Sequence, residues 1–358
     1  MNEILEMRKP YVTFSQMQEA DFNKLLQEMN DTDHWIETNA LHMKVIAGTL
    51  YVELGTSRSK RFELHPQAWI SVLRRSGLTI EEFDAYSPKE LAVTLNIALR
   101  KKAGPFKVLI RGGKVLAVHT ARYIPFPQKR IVSSLKSNVL EGKYEKIVFA
   151  GSTYTHERTS VCYEVISSRL LSAYKTALNA AGIASKDVRA FVEISTGDAG
   201  VTSVTLTPSL SLNHSERVLI GEPVSIKHRD NMTFAKCEEE MTRIFAAMSD
   251  GVENMRRLLG IELTYPSSVA IKIAKNTRKW NLPSGIIREL DPEFKIPEMM
   301  GITMSAHQFW LTLCEMFQSE GFNKLTPQRQ FKIKESIARI ALMKEAEWQN
   351  LDVNDVCW

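Results

Sequence analysis

The chain has no acidic residue from residue 91 to residue 140, although its 358 residues include 41 Asp and Glu. This segment, called here the basic window, carries these cations: Arg100, Lys101, Lys102, Lys107, Arg111, Lys114, Arg122, Lys129, Arg130 and Lys136. One sign of charge sustained over such a length creates a potential that attracts phosphate groups. The interleaved rings of Phe106, Tyr123 and Phe126 could stack on unpaired bases. The window favours a nucleic-acid partner, with a solvated face or an acidic protein partner as alternatives.

Catalytic signatures are also missing. The chain has no glycine-rich phosphate loop of the G-x-x-x-x-G-K-S/T or G-x-G-x-x-G type, which argues against a nucleotide-driven motor or a dinucleotide enzyme. It has no G-x-S-x-G or H-E-x-x-H motif either. Glu193 and Asp198 are the best carboxylate pair for a metal-dependent nuclease, but no compact cluster surrounds them. The sequence therefore predicts no enzyme activity, catalytic residue, cofactor or metal.

Cysteine is scarce, and the four residues Cys162, Cys237, Cys314 and Cys357 never form a C-x-x-C pair. Scattered thiols of this kind are typical of a reducing compartment. No stretch approaches the roughly 18 apolar residues that a membrane span needs. The N-terminal residues lack the basic-then-apolar pattern of a secretion signal. We therefore expect a cytoplasmic protein that makes no membrane contact.

The spacing of apolar residues changes near residue 230. Before it, period-two alternation and tight-turn residues predict antiparallel strands and hairpins with packed helices; after it, helical periodicity dominates. The sequence thus predicts an α+β fold, with a core domain at 1–230 and a mainly helical region at 231–358. Residues 283–301 are rich in Pro and Gly and form the candidate linker.

Several elements have local signals. Gly112-Gly113 predicts a two-residue hairpin turn between strands 106–110 and 115–119, with Arg111 and Lys114 at an exposed tip. Ser87 and Glu90 form a capping-box pattern that predicts a helix start. Further predictions are a turn at Ala47-Gly48 between strands 41–45 and 50–54, and single helices over 14–29, 127–140, 169–181, 234–259 and 327–348.

The candidate binding residues come from two basic clusters. The expected phosphate contacts are Lys107, Arg111, Lys114, Arg122, Lys129 and Arg130, and the stacking candidates are Tyr123 and Phe126. For Tyr123 a core position is the competing interpretation. Lys272, Lys275, Arg278 and Lys279 form a second row on one predicted helix, which either follows a phosphate backbone or is solvated.

Two polar segments have weaker interpretations. Residues 195–200 form a glycine-containing loop after a strand, which either binds an anion through backbone N–H groups or only connects two strands. His228 lies in a His-Arg-Asp run that is predicted to be a solvated turn rather than an acid–base site.

Residues 106–123 resemble the uncharacterised phage/plasmid-like protein family. Its members carry an apolar strand ending in Arg, a glycine-containing turn, a second strand and a Ser/Thr-x-Arg-Tyr motif. Here these parts look like Arg111, Gly112-Gly113 and Thr120-Ala121-Arg122-Tyr123. Residues 194–200 lie where the family has an Asn-Ser-Glu-x-Gly-like loop but differ from it, and the family's Cys-x-Asn-Gly element is missing.

The resemblance implies a phage or mobile-element product associated with DNA replication and recombination. The order of hairpins and helices is also similar to that of phage single-strand annealing proteins, which form rings or filaments and guide single-stranded DNA without ATP. We therefore expect an ATP-independent, homo-oligomeric protein that binds or anneals single-stranded nucleic acid, DNA rather than RNA. The alternative is a phage protein whose basic surface binds a host nuclease or defence complex.

Overall fold

A computed structural model describes residues 14–15, 17–55, 58, 60–65, 68–79, 86–101, 104–154, 158–198, 203–212, 217–228, 231–275, 302–318, 320–325 and 327–353. The strands are β1 Phe14–Ser15, β2 His34–Thr38, β3 Leu41–Ile46, β4 Thr49–Leu54, β5 Lys60–Leu64, β6 Phe106–Arg111, β7 Lys114–Thr120, β8 Lys146–Tyr154, β9 Thr159–Ile166, β10 Arg189–Thr196, β11 Val204–Ser211, β12 Val218–Leu219, β13 Val224–Ile226, β14 Glu262–Leu263 and β15 Met304–Ser305.

The helices are α1 Glu19–Thr32, α2 Ala68–Ser76, α3 Pro88–Lys101, α4 Gln128–Ser134, α5 Ser168–Ala180, α6 Phe234–Met241, α7 Ile244–Leu258, α8 Pro266–Lys275, α9 Ala306–Glu315, α10 Glu320–Asn323, α11 Pro327–Ala341 and α12 Glu345–Leu351. A π-helical turn, Leu135–Leu140, continues α4, and a 3-10 turn, Met316–Gln318, follows α9. The fold is α+β, as the sequence predicted, and the described part after Phe234 is mainly helical.

Six strands form the smaller sheet, in the order β2-β6-β7-β5-β4-β3. Neighbouring strands are antiparallel except β5 and β7, which pair in parallel through Glu63 and Leu64. Helices α2 and α3 pack on this sheet, and side chains such as Val52, Leu95 and Val108 are fully buried between them. This apolar face is a core of its own.

The larger sheet has the order β1-β8-β9-β10-β11-β12, and β13 also pairs with β11. Its core contains side chains from α1, α4 and α5 and from the helices after Phe234. At one close contact, a Cβ added to Gly251 of α7 would lie 2.7 Å from the carbonyl oxygen of Ile220. The helices after residue 230 thus contribute side chains to the core of the larger sheet.

Some predicted elements begin or end elsewhere. Residues 14–15 pair with β8 as a strand, so the first helix begins at Glu19 and not at residue 14. The helix expected over 234–259 breaks after Met241 into α6 and α7. The helix expected over 327–348 also breaks, because Glu347 accepts a hydrogen bond from the Lys344 backbone N–H (3.0 Å) and starts α12. The candidate linker 283–301 lies outside the described residues.

Strands β2 and β5 were not predicted, whereas the local signals were confirmed at other places. Ser87 and Glu90 exchange the hydrogen bonds of a capping box at the start of α3. Ala47 and Gly48 turn the chain from β3 into β4 with φ angles of 47° and 82°.

Within the described part of the chain, no helix combines the length and apolar character that crossing a membrane requires. Cys162, Cys237 and Cys314 are buried free thiols, and Cys357 lies outside the described residues.

The hairpin between β6 and β7 turns on Gly112 and Gly113, whose φ angles are 57° and 77°. Arg111 pairs with Lys114 across this turn, so the two-residue loop is confirmed. No atom lies within 4 Å of a Cβ built on Gly112, so a substitution there meets no steric obstacle. Any cost must then come from the left-handed backbone conformation itself.

Gly112→Val is expected to lower the free energy of unfolding by about 1–2 kcal/mol, because a β-branched residue resists a positive φ. Gly112→Asn is the matched control and should cost less, since Asn adopts this region more readily. Urea unfolding of the two variants and the parent measures the difference. Equal stabilities for the Val and Asn variants would contradict the backbone explanation.

Candidate functional site

The side chain of Arg111 points into the protein rather than out from the hairpin tip. It is 10% exposed and forms a bidentate pair with Asp33, with Nε–Oδ1 and Nη2–Oδ2 distances of 2.6 and 2.7 Å. Its Nη2 also lies 3.2 Å from Oδ2 of Asp198. The expectation of an exposed phosphate-binding Arg111 is therefore wrong: two carboxylates from distant parts of the chain already hold its guanidinium group.

Burial opposes the positive charge of this guanidinium, but hydrogen bonds to Asp33 and the charge of Asp198 outweigh burial and raise the pKa of Arg111. Burial likewise raises the pKa of Asp33, and Arg111 opposes that shift. Asp33 follows α1 and Asp198 follows β10. Arg111, at the end of β6, therefore links the β2–β6 edge of the smaller sheet to the end of β10 in the larger sheet.

Asp198 holds further contacts at this junction. Gln128 donates to its Oδ2 (2.6 Å) and accepts a hydrogen bond from the Thr159 hydroxyl (2.5 Å). His119 Nε2 lies 2.6 Å from the Asp198 carbonyl oxygen. Since a carbonyl oxygen only accepts, Nε2 carries the proton. Burial lowers the pKa of His119 to about 4, so the ring is neutral at pH 7.

Tyr123 is stacked between two histidines. Its ring centroid lies 3.8 Å from that of His119 and 5.1 Å from that of His228, with interplanar angles of 10° and 4°. Trp35 packs at 5.3 Å from the same ring. Tyr123 and Phe126 are 9% and 3% exposed, so neither offers a free face for a base. The core interpretation of Tyr123 fits, and the stacking role expected for both rings does not.

His228 is buried, which corrects its expected place in a solvated turn. Its Nδ1 lies 3.2 Å from the Ile124 carbonyl oxygen, and burial lowers its pKa. In neutral His228 the remaining nitrogen, Nε2, is an acceptor, and it makes no hydrogen bond with the described part of the chain. The N–H donors of Arg111 Nη1 likewise have no partner there. Buried polar atoms without a protein partner usually bind ordered water, so the junction has places for solvent.

A cavity of about 120 Å³ adjoins this cluster. Its lining includes Asp33, Asp198 and Gln128 together with the rings of Trp35 and Phe126. Among the described residues, no group of three or more His, Cys, Asp or Glu side chains is placed to hold a metal ion. Glu193 pairs instead with Arg158 at 3.8 Å, while Asp198 is bound to Arg111. Glu193 and Asp198 thus have separate cationic partners, and the cluster around Asp198 acts as a polar joint.

Most other cations of the basic window also have partners. Lys107 pairs with Glu37 (3.2 Å) and donates to the Tyr123 carbonyl oxygen, and Lys114 pairs with Glu63 (2.6 Å). The remaining contacts are Lys136 with Glu19, Lys129 with Gln27, and the Arg130 guanidinium 3.7 Å from the Phe234 ring centroid. Arg122 is exposed and has no ion pair with a described residue. Among the described residues of the window, Lys107, Arg111, Lys114 and Lys136 are therefore neutralised by carboxylates, whereas the contacts of Lys129 and Arg130 leave their charge in place.

The second basic cluster is only partly visible. Lys272 is half-buried on α8. The side chain of Lys275 and the whole of Arg278 and Lys279 lie outside the described residues, as do residues 199–200 of the candidate anion loop. These predictions stay untested.

A different basic surface lies on the larger sheet. An open groove of about 570 Å³ is lined by Phe149, Ala150, Glu164, Arg189, Phe191, Ser211, Arg217 and Lys334. Arg189 and Phe191 are two residues apart on β10, so their side chains share one face of the sheet. Phe191 pairs with Glu164 of β9 in the register, and Arg189 pairs with Ser211 of β11. Lys334 comes from α11 and closes the groove on another side.

The described residues of the groove lining include three cations and one carboxylate. The guanidinium carbons of Arg189 and Arg217 each lie 5.6 Å from the ring centroid of Phe191. Arg189 also lies 3.6 Å from Glu164, the one acidic residue in the lining. Two guanidinium groups held over one ring, against one described carboxylate, leave a positive charge that an anion would neutralise, while the Lys334 ammonium lies 5.3 Å from the Phe317 ring centroid.

Sequence reasoning missed this groove because its residues are spread from Phe149 to Lys334 and belong to six elements or loops. Arg189 and Arg217 lie in segments with acidic neighbours, so no local charge run marks them. The only local signal was the alternation that placed Arg189 and Phe191 on one strand face.

Comparisons of the chain with protein-family models, curated proteins and solved structures found no match in any of the three. The resemblance of residues 106–123 to the phage/plasmid-like family therefore stays a prediction. The geometry does bring together three places that this resemblance singled out, Arg111, Tyr123 and the segment ending at Asp198, in one buried cluster.

Arg111→Gln is expected to lower the free energy of unfolding by about 3–5 kcal/mol, because it leaves Asp33 and Asp198 buried without their cation. Lys114→Gln, at the other end of the same turn, breaks only a half-exposed pair and should cost less than about 1 kcal/mol. Adding Asp33→Asn to Arg111→Gln should restore part of the loss. Denaturant unfolding measures the free energy of unfolding of each variant. Similar losses for Arg111→Gln and Lys114→Gln would contradict a structural role for Arg111.

The depressed pKa of His119 predicts a pH effect on stability. The unfolded chain takes up a proton near the ordinary value of 6.5, whereas the folded ring takes it up only near 4. Stability from this residue is therefore complete above pH 6.5 and is lost as the pH falls toward 4, by at most roughly 3 kcal/mol. His119→Gln keeps a donor toward Asp198 and should show a shallower fall over this range in urea unfolding at several pH values. If stability falls equally with pH in the parent and in the variant, His119 is not the cause of the fall.

Proposed function

We propose that this protein binds single-stranded nucleic acid without using ATP, and that the groove on the larger sheet is its contact surface. One observation carries the proposal: Arg189 and Arg217 line an open groove, together with Lys334, and Glu164 is the one carboxylate among the described lining residues. Proteins that bind single strands combine a positively charged groove with planar side chains for the bases. The groove supplies both kinds of group.

The cations have distinct roles in this proposal. Lys334 acts as a point charge for one phosphate, while Arg189 and Arg217 present planar, fork-shaped groups that can bind phosphate in two hydrogen bonds. Phe191 is 4% exposed beneath the two guanidinium groups, so its ring orients them rather than meeting a base. A base can stack on the outer face of a guanidinium plane instead. Phe149 is half-buried at the groove and provides a second apolar surface.

The wider parts of the proposal rest on the sequence. The absence of a glycine-rich phosphate loop supports action without ATP. The resemblance of residues 106–123 supports a phage or mobile-element protein that acts in replication or recombination, in the cytoplasm of a bacterial host and on DNA rather than RNA. The resemblance of element order supports annealing as the activity.

A triple variant, Arg189→Gln, Arg217→Gln and Lys334→Gln, is expected to weaken binding to an unstructured DNA strand. Each lost phosphate contact also reduces the slope of log K against log salt by roughly 0.7, so three contacts amount to about two units. Fluorescence anisotropy with a labelled oligonucleotide at several salt concentrations measures both effects. The exposed or half-exposed positions of the three residues should leave thermal stability nearly unchanged.

Two triple variants serve as controls of equal charge. Arg243→Gln, Arg256→Gln and Lys324→Gln removes cations that pair with carboxylates three or four residues away in the chain, and it should bind like the parent. Arg122→Gln, Lys129→Gln and Arg130→Gln tests the basic window directly. If only this last variant loses affinity and salt slope, the window and not the groove is the contact surface. If the parent binds no single strand at low salt, the proposal fails and a protein partner becomes the better hypothesis.

A further inference from the structure

The two most exposed large apolar side chains of the described chain lie together on helix α3. Val93 and Ile97 are 60% and 49% exposed and are four residues apart, so they are neighbours on one helix face. The opposite face of α3 is buried on the smaller sheet through residues such as Leu95 and Leu99. The exposed face is therefore not part of the core.

Cations flank this apolar pair. Lys89 lies one turn before Val93, and Arg100 and Lys101 follow Ile97 in the last turn of α3; all three are exposed. Glu90, the one acid of the helix, is engaged with Ser87 at the helix start. We call Lys89, Val93, Ile97, Arg100 and Lys101 the basic stripe. It offers an apolar centre with positive charge at both ends.

A second apolar patch has the opposite charge. Tyr265 and Ile302, 39% and 44% exposed, lie two residues beyond the pair Leu263–Met304, at the same end of the β14–β15 ladder. Val353 is 40% exposed and is tied to the same place, because its carbonyl oxygen accepts from Ser268 (2.6 Å) near the start of α8.

Two carboxylates adjoin these residues. Asp352 accepts hydrogen bonds from the backbone N–H groups of Thr264 (2.7 Å) and Tyr265, which fixes its position beside the patch. Glu262 is exposed on β14, and the next cation along the chain, Lys272, is half-buried on α8. We call Glu262, Tyr265, Ile302, Asp352 and Val353 the acidic patch.

We propose that the basic stripe of one copy of this protein docks on the acidic patch of another copy. Both surfaces have exposed apolar side chains at their centre and charges around them, and the charges are of opposite sign. The inference stands on these two surfaces and does not depend on nucleic-acid binding.

The two surfaces are different, so each copy keeps one unused surface after the first contact. Such a heterologous contact adds copies head to tail, into a ring if the rotation closes and into a filament if it does not. With few apolar anchors, each contact falls at the small end of specific interfaces, so assembly should depend on protein concentration. Salt should favour smaller species, because it screens exposed charges.

The test uses two variants of the full chain, each lacking one surface. Val93→Glu with Ile97→Glu removes the basic stripe, and Ile302→Lys with Val353→Lys removes the acidic patch. Sedimentation velocity over a range of protein concentrations should show the parent growing in mass and each variant monomeric. Mixed together, the variants should form a dimer and nothing larger, because one intact surface of each remains. All four positions are exposed, so circular dichroism and melting temperature should match the parent.

Three outcomes would overturn the proposal: a parent that stays monomeric at every concentration, variants that assemble like the parent, or a mixture that stays monomeric. An isologous contact through either surface gives a different result, because the variant that keeps that surface would dimerise alone. If the new charges impair folding, serine variants remove the apolar side chains without adding charge: Val93→Ser with Ile97→Ser, and Ile302→Ser with Val353→Ser. The same sedimentation measurements, alone and mixed, then test the proposal.

Discussion

The buried guanidinium of Arg111 is the contact on which the arrangement of the two sheets depends. A charge in the interior is tolerated only where opposite charge and hydrogen bonds compensate its lost hydration. Arg111 obtains this compensation from Asp33 after α1 and from Asp198 after β10, two segments that are far apart in the chain. The ends of these elements must therefore meet at the hairpin, and Gly112-Gly113 returns the chain in the tight turn that sets Arg111 at the end of β6.

Charge along a sequence and charge on a surface are different quantities in this protein. The basic window contains no acid of its own, yet acids from other segments lie against its cations: Glu37 against Lys107, Glu63 against Lys114 and Glu19 against Lys136. Folding thus cancels much of the potential that the window suggests. The groove shows the reverse effect, because cations from separate segments converge where one carboxylate is present.

The features that the sequence predicted correctly depend on residues that are close together in the chain. The glycine turn, the capping box of Ser87 and Glu90 and most strand alternations are local, and they were correct. Strand β2 was missed because its exposed and half-buried side chains follow no alternation before Thr38. A core position for Tyr123 was one of two interpretations, but the burial of His228 could not be predicted, since the rings of Tyr123 and Phe126 cover it. Contacts of that kind exist only once distant segments have met.

The junction and the groove lie at opposite ends of strand β10. Arg189 begins this strand and Asp198 follows its end, so a rise of about 3.3 Å per residue separates them by roughly 25–30 Å. A change at Arg111 therefore reaches the groove only through the fold as a whole, whereas a change at Arg189 leaves the buried cluster intact. Loss of binding in an Arg111 variant would consequently carry no information about where nucleic acid binds, although Arg111 was among the strongest candidates in the sequence. The same cation type serves the core at one end of the strand and is available to a ligand at the other, and burial is what separates the two roles.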